Sequence, residues 1–366
     1  MISPLFYLSA GNTSITFNDS KGDKMDILKR YEIVKSIIPE IKKLWARETE
    51  QHKHLLSVSS SIANACDWNL EKIRDYCLSL GFNGAEIRFQ GFKNPAGLEL
   101  LRKDKDFLPT AHLSDFAHWL YSSEQIKNLM TESERVSYFG NKDHQKATEK
   151  CFLQELKLAS QLDIDIVTFH AAQIEFLGLL GRSFLFSDEE VLERVKIFLL
   201  KLLPQANFKG KIGLENDGPY SRGMRLPKNF KALDNSINMP NVGFTLDIAH
   251  LASNSLDLKI NHELSKKIWV VHLSEPILDS HLKISDELLS KTRSQGFIAF
   301  RKLAGQAISC SDAHNPVGEV ITDAKMQLDK IYQANSTLVV VHELKVPLDI
   351  MKESCILQQA ELLNLR

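Results

Sequence analysis

The sequence has no Cys-x-x-Cys pair; its five cysteines, Cys66, Cys77, Cys151, Cys310 and Cys355, are scattered and odd in number. That spacing argues against a disulfide-stapled fold and against a cysteine zinc knuckle, and it suits unpaired thiols in a reducing, cytoplasmic compartment. An excess of charge is also missing. Lys+Arg number 45 against 46 Asp+Glu, a net charge of -1, so there is no whole-molecule basic field for nucleic acid, although a local patch would still hold phosphate. Nowhere do roughly 18 uncharged apolar residues run together, which argues against a membrane-spanning helix. Residues Met1 to Lys24 lack a basic n-region and a long apolar core, and a secretory signal is not expected. No Gly-x-Gly-x-x-Gly follows an apolar run, which disfavours a dinucleotide-binding open sheet.

What remains is a globular composition, 43% apolar and 25% charged over 366 residues, enough for one large core. Residues 1–50 read as an arm followed by an amphipathic helix over Met25 to Trp45, where Ile27, Leu28, Ile33, Val34, Ile37, Ile38, Ile41 and Leu44 recur at helical spacing. From residue 51 to 366 strand-like and helix-like stretches alternate. The strands are expected at Leu55–Ser59, up to Phe89, Phe107–His112, Asp163–His170, Lys211–Glu215, Val242–Asp247, Ile268–His272 and Thr337–Glu343. Helices are expected through Leu70–Leu80, Ala147–Leu162, from a capping box at Ser187-Asp-Glu-Glu190 to about Leu203, and through Leu348–Leu363. Eight Val/Ile/Leu/Phe-rich strands separated by helices predict an α/β protein, a (β/α)8 TIM barrel with an N-terminal helical extension. Residues 113–148 and 274–311 exceed ordinary loop lengths and lie on the face where such barrels keep their chemistry.

The C-terminal strand ends carry the chemistry. His112, His170, Glu215, Asp247 with His250, His272, Asp312 with His314, and Glu343 supply five imidazoles and four carboxylates. Any one of them alone is as well read as a helix cap or a satisfied core histidine. Four carboxylates aimed at one barrel mouth, however, repel one another unless cations neutralise them. Interleaved imidazole and carboxylate is the donor set of zinc, manganese or non-haem iron, and the number of donors exceeds what one ion takes. Two or three divalent ions are expected. Arg88, after strand two, and Lys345, past Glu343, are candidates to receive an anionic substrate, with solvation or pairing to Glu86 and nearby acids as the plain alternative. His342 is expected to face away from Glu343, because neighbours on a strand point to opposite sides.

In this order the residues resemble the xylose isomerase-like TIM-barrel superfamily, most closely its endonuclease IV branch. The carriers are Pro109-Thr-Ala-His112, Val167-Thr-Phe-His170, Leu214-Glu-Asn216, Asp247-x-x-His250, His272-Leu273, Asp312-x-His314 and Glu343. The resemblance implies a trinuclear zinc site: His112, His170 and Glu215 on one ion; Glu215, Asp247, His272 and Glu343 on a second; His250, Asp312 and His314 on a third. It implies hydrolysis of a phosphodiester or phosphate ester, with a small-molecule or nucleic-acid phosphate as partner. Two departures stand out: His170-Ala-Ala replaces the branch's His-Pro-Gly, and His272-Leu-Ser-Glu replaces its His-Leu-Asn-Asp. Two alternatives stay open. Sugar isomerases and epimerases of the superfamily use one ion on the quartet Glu215, Asp247, His272 and Glu343, with those carboxylates moving a proton. Multinuclear non-haem iron oxidases that modify peptides carry a near-identical set, and Ser311-Asp-Ala-His-Asn-Pro-Val317 and Ala111-His-Leu-Ser114 resemble their motifs. A non-catalytic barrel is the remaining reading.

Overall fold

The computed structural model describes residues 52–58, 62–63, 66–89, 107–114, 144–174, 184, 186–254, 260–276, 287, 291, 295, 314–315 and 328–344. The predicted arm and helix of residues 1–50, the predicted helix 348–363 and most of the two long loops lie outside the described residues. Twelve strands are described: β1 (Lys53–Val58), β2 (Gly84–Arg88), β3 (Thr110–His112), β4 (Ile166–His170), β5 (Ala172–Ile174), β6 (Lys211–Glu215), β7 (Ser221–Gly223), β8 (Val242–Asp247), β9 (Ile268–His272), β10 (Glu275–Pro276), β11 (His314–Asn315) and β12 (Val339–His342). Helices with described bounds are α1 (Leu70–Ser79), α2 (His144–Gln161), α3 (Asp188–Ala206), α4 (Pro227–Ile237), α5 (Ile248–Asn254) and α6 (His262–Ser265), and residues 328–334 are helical as well.

Eight of the strands close into a parallel barrel in the order β1-β12-β9-β8-β6-β4-β3-β2. The expected (β/α)8 barrel is therefore the fold. Strands β6, β8 and β9 begin and end where the sequence predicts, while β3 keeps only the last three residues of its predicted run and β12 only residues 339–342. α4 was not among the predicted helices; Pro227 opens it, where the fixed φ of proline suits a first helical position.

Side-chain alternation divides the buried residues into two sets. Odd and even positions of the same strand face different neighbours. Outward-facing Leu56, Ile87, Val167, Phe169, Ile212, Leu214 and Val340 join the large core under the helices, against Ile73, Phe152, Leu156, Val195, Phe198 and Leu199. Inward-facing Leu55, Ile166, Val270, Val339 and Val341 form a smaller cluster with Trp269 inside the barrel. Above that plug the interior turns polar, and Thr168 and Thr245 touch through their hydroxyls at 3.0 Å. Gly213 makes room for them, since a Cβ there would stand 2.3 Å from Thr245 Oγ1. The helices are stopped and started by local chemistry. Asn69 caps α1 by accepting from Lys72 N at 3.1 Å, and the predicted capping box of Ser187 and Glu190 opens α3.

Candidate metal centre

Every predicted ligand among the described residues reaches one mouth of the barrel. Eight of them fall into three overlapping groups whose donor atoms lie within 4.8 Å of one another: His112, His170 and Glu215; Glu215, Asp247, His272 and Glu343; and Asp247, His250 and His314. The first two groups are those implied by the resemblance. In the third, Asp247 joins His250 and His314, so Asp247 is shared just as Glu215 is. Asp312 and Lys345 lie outside the described residues.

Local structure explains how each side chain is aimed. His112, His170, Glu215 and Asp247 are the last residues of β3, β4, β6 and β8, and His272 ends β9. Parallel pairing holds them in register: Glu215 opposite His170 across β6 and β4, Asp247 opposite His272 across β8 and β9. Glu343 follows β12 by one residue and faces inward. Helix α5 starts immediately after Asp247, whose Oδ1 caps it by accepting from His250 N at 2.7 Å. The capping leaves Oδ2 toward the mouth, 3.8 Å from Nδ1 of both His272 and His314.

His314 arrives by another route, since it is 42 residues beyond His272 in the chain. The two-stranded antiparallel sheet of β10 and β11 pairs Pro276 with His314, and Ser274 Oγ meets His314 Nδ1 at 2.7 Å. A second small sheet, β5 with β7, braces the segments that follow His170 and Glu215, helped by Met224 N donating to Ala171 O at 3.1 Å.

The site is dry. His112, Glu215, Asp247, His272 and His314 are fully buried, and only His170, 16% exposed, opens partly to solvent. Buried carboxylates without water are neutralised by the nearest positive groups. Glu215 Oε2 lies 2.9 Å from His112 Nε2 and 3.2 Å from His170 Nε2, while its Oε1 lies 2.7 Å from His272 Nδ1. Burial pushes the Glu215 carboxyl up, but His170, His272 and His112 together outweigh it and hold the group well below the usual carboxylate range. For His272 burial opposes the charged form, yet Glu215 and Glu86 prevail and hold it well above its ordinary value. His112 is likewise raised: burial and Arg88 oppose the charge, and Glu215 and Glu86 overcome them. Protons on imidazoles thus stand where cations would stand, the behaviour of a ligand set that exchanges protons for metal.

The backs of the rings are held too. His112 Nδ1 meets Leu113 O at 2.7 Å and His250 Nδ1 meets Asn216 O at 3.0 Å. A carbonyl only accepts, so these nitrogens carry protons, and Nε2 of each ring is turned away from the backbone, toward Glu215 for His112 and toward Tyr220 Oη at 3.5 Å for His250. Asn216 does more: its side-chain amide donates to Asp247 O at 2.9 Å and accepts from Asp247 N at 2.8 Å, extending the β6–β8 pairing by side chain. Asp217 stands behind two histidines, its carboxylate 4.0 Å from Nδ1 of His170 and of His250. Glu155 of α2 accepts from Ser114 N at 2.9 Å and from Ser114 Oγ, fixing the chain just past His112.

These supporting residues are absent from the predicted set. Asn216 and Asp217 follow Glu215 directly, and that adjacency was the available signal; Glu155 sits on a helix and had none. Arg88 points its guanidinium at Glu343, a carboxylate of the cluster, and is 21% exposed. His342 faces outward, as expected, with its ring 5.2 Å from that of His54.

Among the described residues no helix is long and apolar enough to cross a membrane. No curated protein matches the chain at a significant level. Among solved structures, a 3-keto-D-glucoside 4-epimerase from E. coli is 13% identical with a TM-score of 0.55, over 85% of this chain and 98% of that one. A D-psicose 3-epimerase solved in the presence of D-fructose is 14% identical with a TM-score of 0.53, over 86% and 96%. The IolI protein, solved with a zinc atom bound, is 18% identical with a TM-score of 0.52, over 85% and 95%. At these identities the likeness is one of fold. A family model described as xylose isomerase-like TIM barrel matches residues 75–355. With a closed eight-stranded parallel barrel and a carboxylate-imidazole cluster at its mouth, this chain belongs to the xylose isomerase-like TIM barrel family.

Proposed function

We propose that the chain is a metal-dependent enzyme that holds two or three divalent ions, zinc by preference, and hydrolyses a phosphate ester. The observation that carries this reading is the sharing of Glu215 and Asp247 between adjacent donor groups, the arrangement by which one carboxylate bridges two ions. The fit rests on the donors themselves: the buried Oε1 of Glu215 and Oδ2 of Asp247 have no aligned hydrogen-bond partner among the described residues, although imidazoles surround them. Bound ions would supply Lewis-acid polarisation of a phosphoryl oxygen and an activated water. His112, His170 and Glu215 would hold one ion, Glu215, Asp247, His272 and Glu343 another, and Asp247, His250 and His314, with Asp312 by the family resemblance, a third. The chain's own contribution is positioning. Strand ends hold the donors rigidly, the backing contacts keep the rings from turning, and burial excludes bulk water. Arg88 keeps positive charge at the rim beside Glu343, where it would meet an anionic ester; Lys345 is proposed for the same task.

A second reading is favoured by the quartet alone. His272 Nδ1 lies 2.7 Å from Glu215 and 2.9 Å from Glu343, so one ion would be enclosed by Glu215, Asp247, His272 and Glu343 without any of the other histidines. Such a site serves a sugar isomerase or epimerase, in which Glu215 or Glu343 moves a proton.

Elemental analysis of protein purified without added metal, with parallel assays of a chromogenic phosphodiester, a phosphomonoester and ketose epimerisation, separates the readings. Two or more zinc ions per chain with ester hydrolysis is the expected result. One ion with epimerisation and no hydrolysis would replace the hydrolase with the isomerase. A coloured, iron-bearing preparation inactive toward both would point to the oxidase and a peptide substrate.

A further inference from the structure

One more buried carboxylate lies inside the barrel. Glu86 is on β2, two residues before Arg88 and on the same strand face, and it is fully buried. Its Oε1 stands 3.3 Å from Nε2 of His272. Neither Glu86 oxygen has a hydrogen-bond partner among the described residues, and neither does His272 Nε2. A carboxyl group buried inside a barrel without a hydrogen bond is costly, and an apolar side chain like those of Leu55 and Val341 would plug the same space. Its position behind a ligand histidine gives it a purpose.

The opposite edge of the ring sets the requirement. Nδ1 of His272 faces Glu215 at 2.7 Å, Glu343 at 2.9 Å and Asp247 at 3.8 Å. An ion held among those three carboxylates would take the Nδ1 lone pair, which would place the ring proton on Nε2. At His112 and His250 the ring is turned the other way: their Nδ1 protons go to the carbonyls of Leu113 and Asn216. Among the described residues no carbonyl bonds His272 Nε2, and Glu86 is the carboxylate on that side of the ring.

We propose that Glu86 is a positioning residue of the metal centre: it accepts the Nε2 proton of His272, selects the tautomer that leaves Nδ1 bare toward Glu215, Asp247 and Glu343, and strengthens that nitrogen as a donor. This rests on reading the mouth as a metal centre. An acceptor that carries charge polarises the ring more than a carbonyl does, so the quartet ion should depend on its backing residue more than its neighbours do.

The test is Co(II) titration of the full chain, followed by visible absorption and chelator competition, for the wild type, Glu86→Gln and Glu86→Leu, with circular dichroism to confirm folding. Glu86→Leu should weaken one Co(II) by about 100-fold and alter its absorption bands; Glu86→Gln, whose amide oxygen still accepts, should lose about tenfold and keep them. 15N-histidine NMR of the zinc-loaded wild type should show one ring protonated at Nε2 and metallated at Nδ1, a signal that disappears in His272→Asn. Wild-type affinity in either folded Glu86 variant would overturn the proposal, and if Glu86→Leu fails to fold, Glu86→Gln decides alone. A wild-type chain that binds no Co(II) would instead sink the metal reading itself.

Discussion

Two groups of buried histidines occupy this barrel, and they differ in what surrounds them. Inside the mouth, His112 and His272 sit among Glu215, Glu343 and Glu86, and both are held above their ordinary value. On the outer wall His54 and His342, on neighbouring strands β1 and β12, share a hydrogen bond of 2.9 Å between Nδ1 and Nε2, with the Phe82 ring 5.3 Å from His342. Burial and then the neighbouring His52 press His54 down to about 4, and burial and then His54 hold His342 well below its ordinary value. Burial is nearly complete in both places, so burial is not what distinguishes them. The distinction is the carboxylates, which charge one set of rings, whereas burial and neighbouring histidines set the other. One strand shows both fates, since His342 faces the helices while Glu343 faces the mouth.

The sharpest way to break the comparison is to remove the carboxylate that two donor groups share. Glu215→Gln should drop metal content by at least one ion per chain and slow turnover by roughly 10³-fold, several kcal/mol of lost transition-state stabilisation, as read by elemental analysis and steady-state kinetics.

Next comes the pH response of the metal-free protein. His272 has a folded value raised above 6.5, so its contribution to stability is complete below 6.5 and is lost as pH rises through the folded value. Chelator-treated protein should therefore melt progressively lower from pH 6 to pH 9, and added zinc should remove that decline. A metal-free melting temperature that rises over this range would contradict the imidazolium-carboxylate account of the mouth.

The outer pair should respond in the opposite sense. With His54 pressed to about 4, stability is complete above 6.5 and falls with acid, by on the order of 2 kcal/mol at pH 5. The double variant His54→Leu with His342→Leu should flatten that acid limb in urea unfolding while metal content stays unchanged. Loss of metal in this variant would mean that the two histidine groups are coupled.

The smallest effect is a control away from both groups. Ser187→Ala removes the cap of α3 and should cost about 1 kcal/mol in denaturant unfolding, with neither metal content nor pH response altered.

Much of this was legible because strands and helices write different periods. Lys211–Glu215, Val242–Asp247 and Ile268–His272 are apolar runs that stop on a ligand, and no tertiary knowledge is needed to see that they stop there. Asp247 and His250 show the limit. Their spacing announced a ligand pair, but that Asp247 divides its two oxygens between capping α5 and facing His272 and His314 depends on where the helix turns. His314 shows it further, since the β10–β11 pairing that delivers it is two residues long and leaves no periodic trace. Glu86 was visible only as a partner for Arg88, because its relation to His272 crosses the barrel between strands that are not neighbours in the sheet.

By itself the sequence determined the eight-fold alternation and the placing of carboxylates and imidazoles at strand ends, because both follow from local periodicity and from where each apolar run stops. Only the tertiary structure decided which donors cluster together, which nitrogen of each ring faces inward and which carboxylates stand behind them. Those choices depend on closure of the barrel, which brings strands far apart in the chain to within a few ångströms in a buried space where charges act strongly on one another.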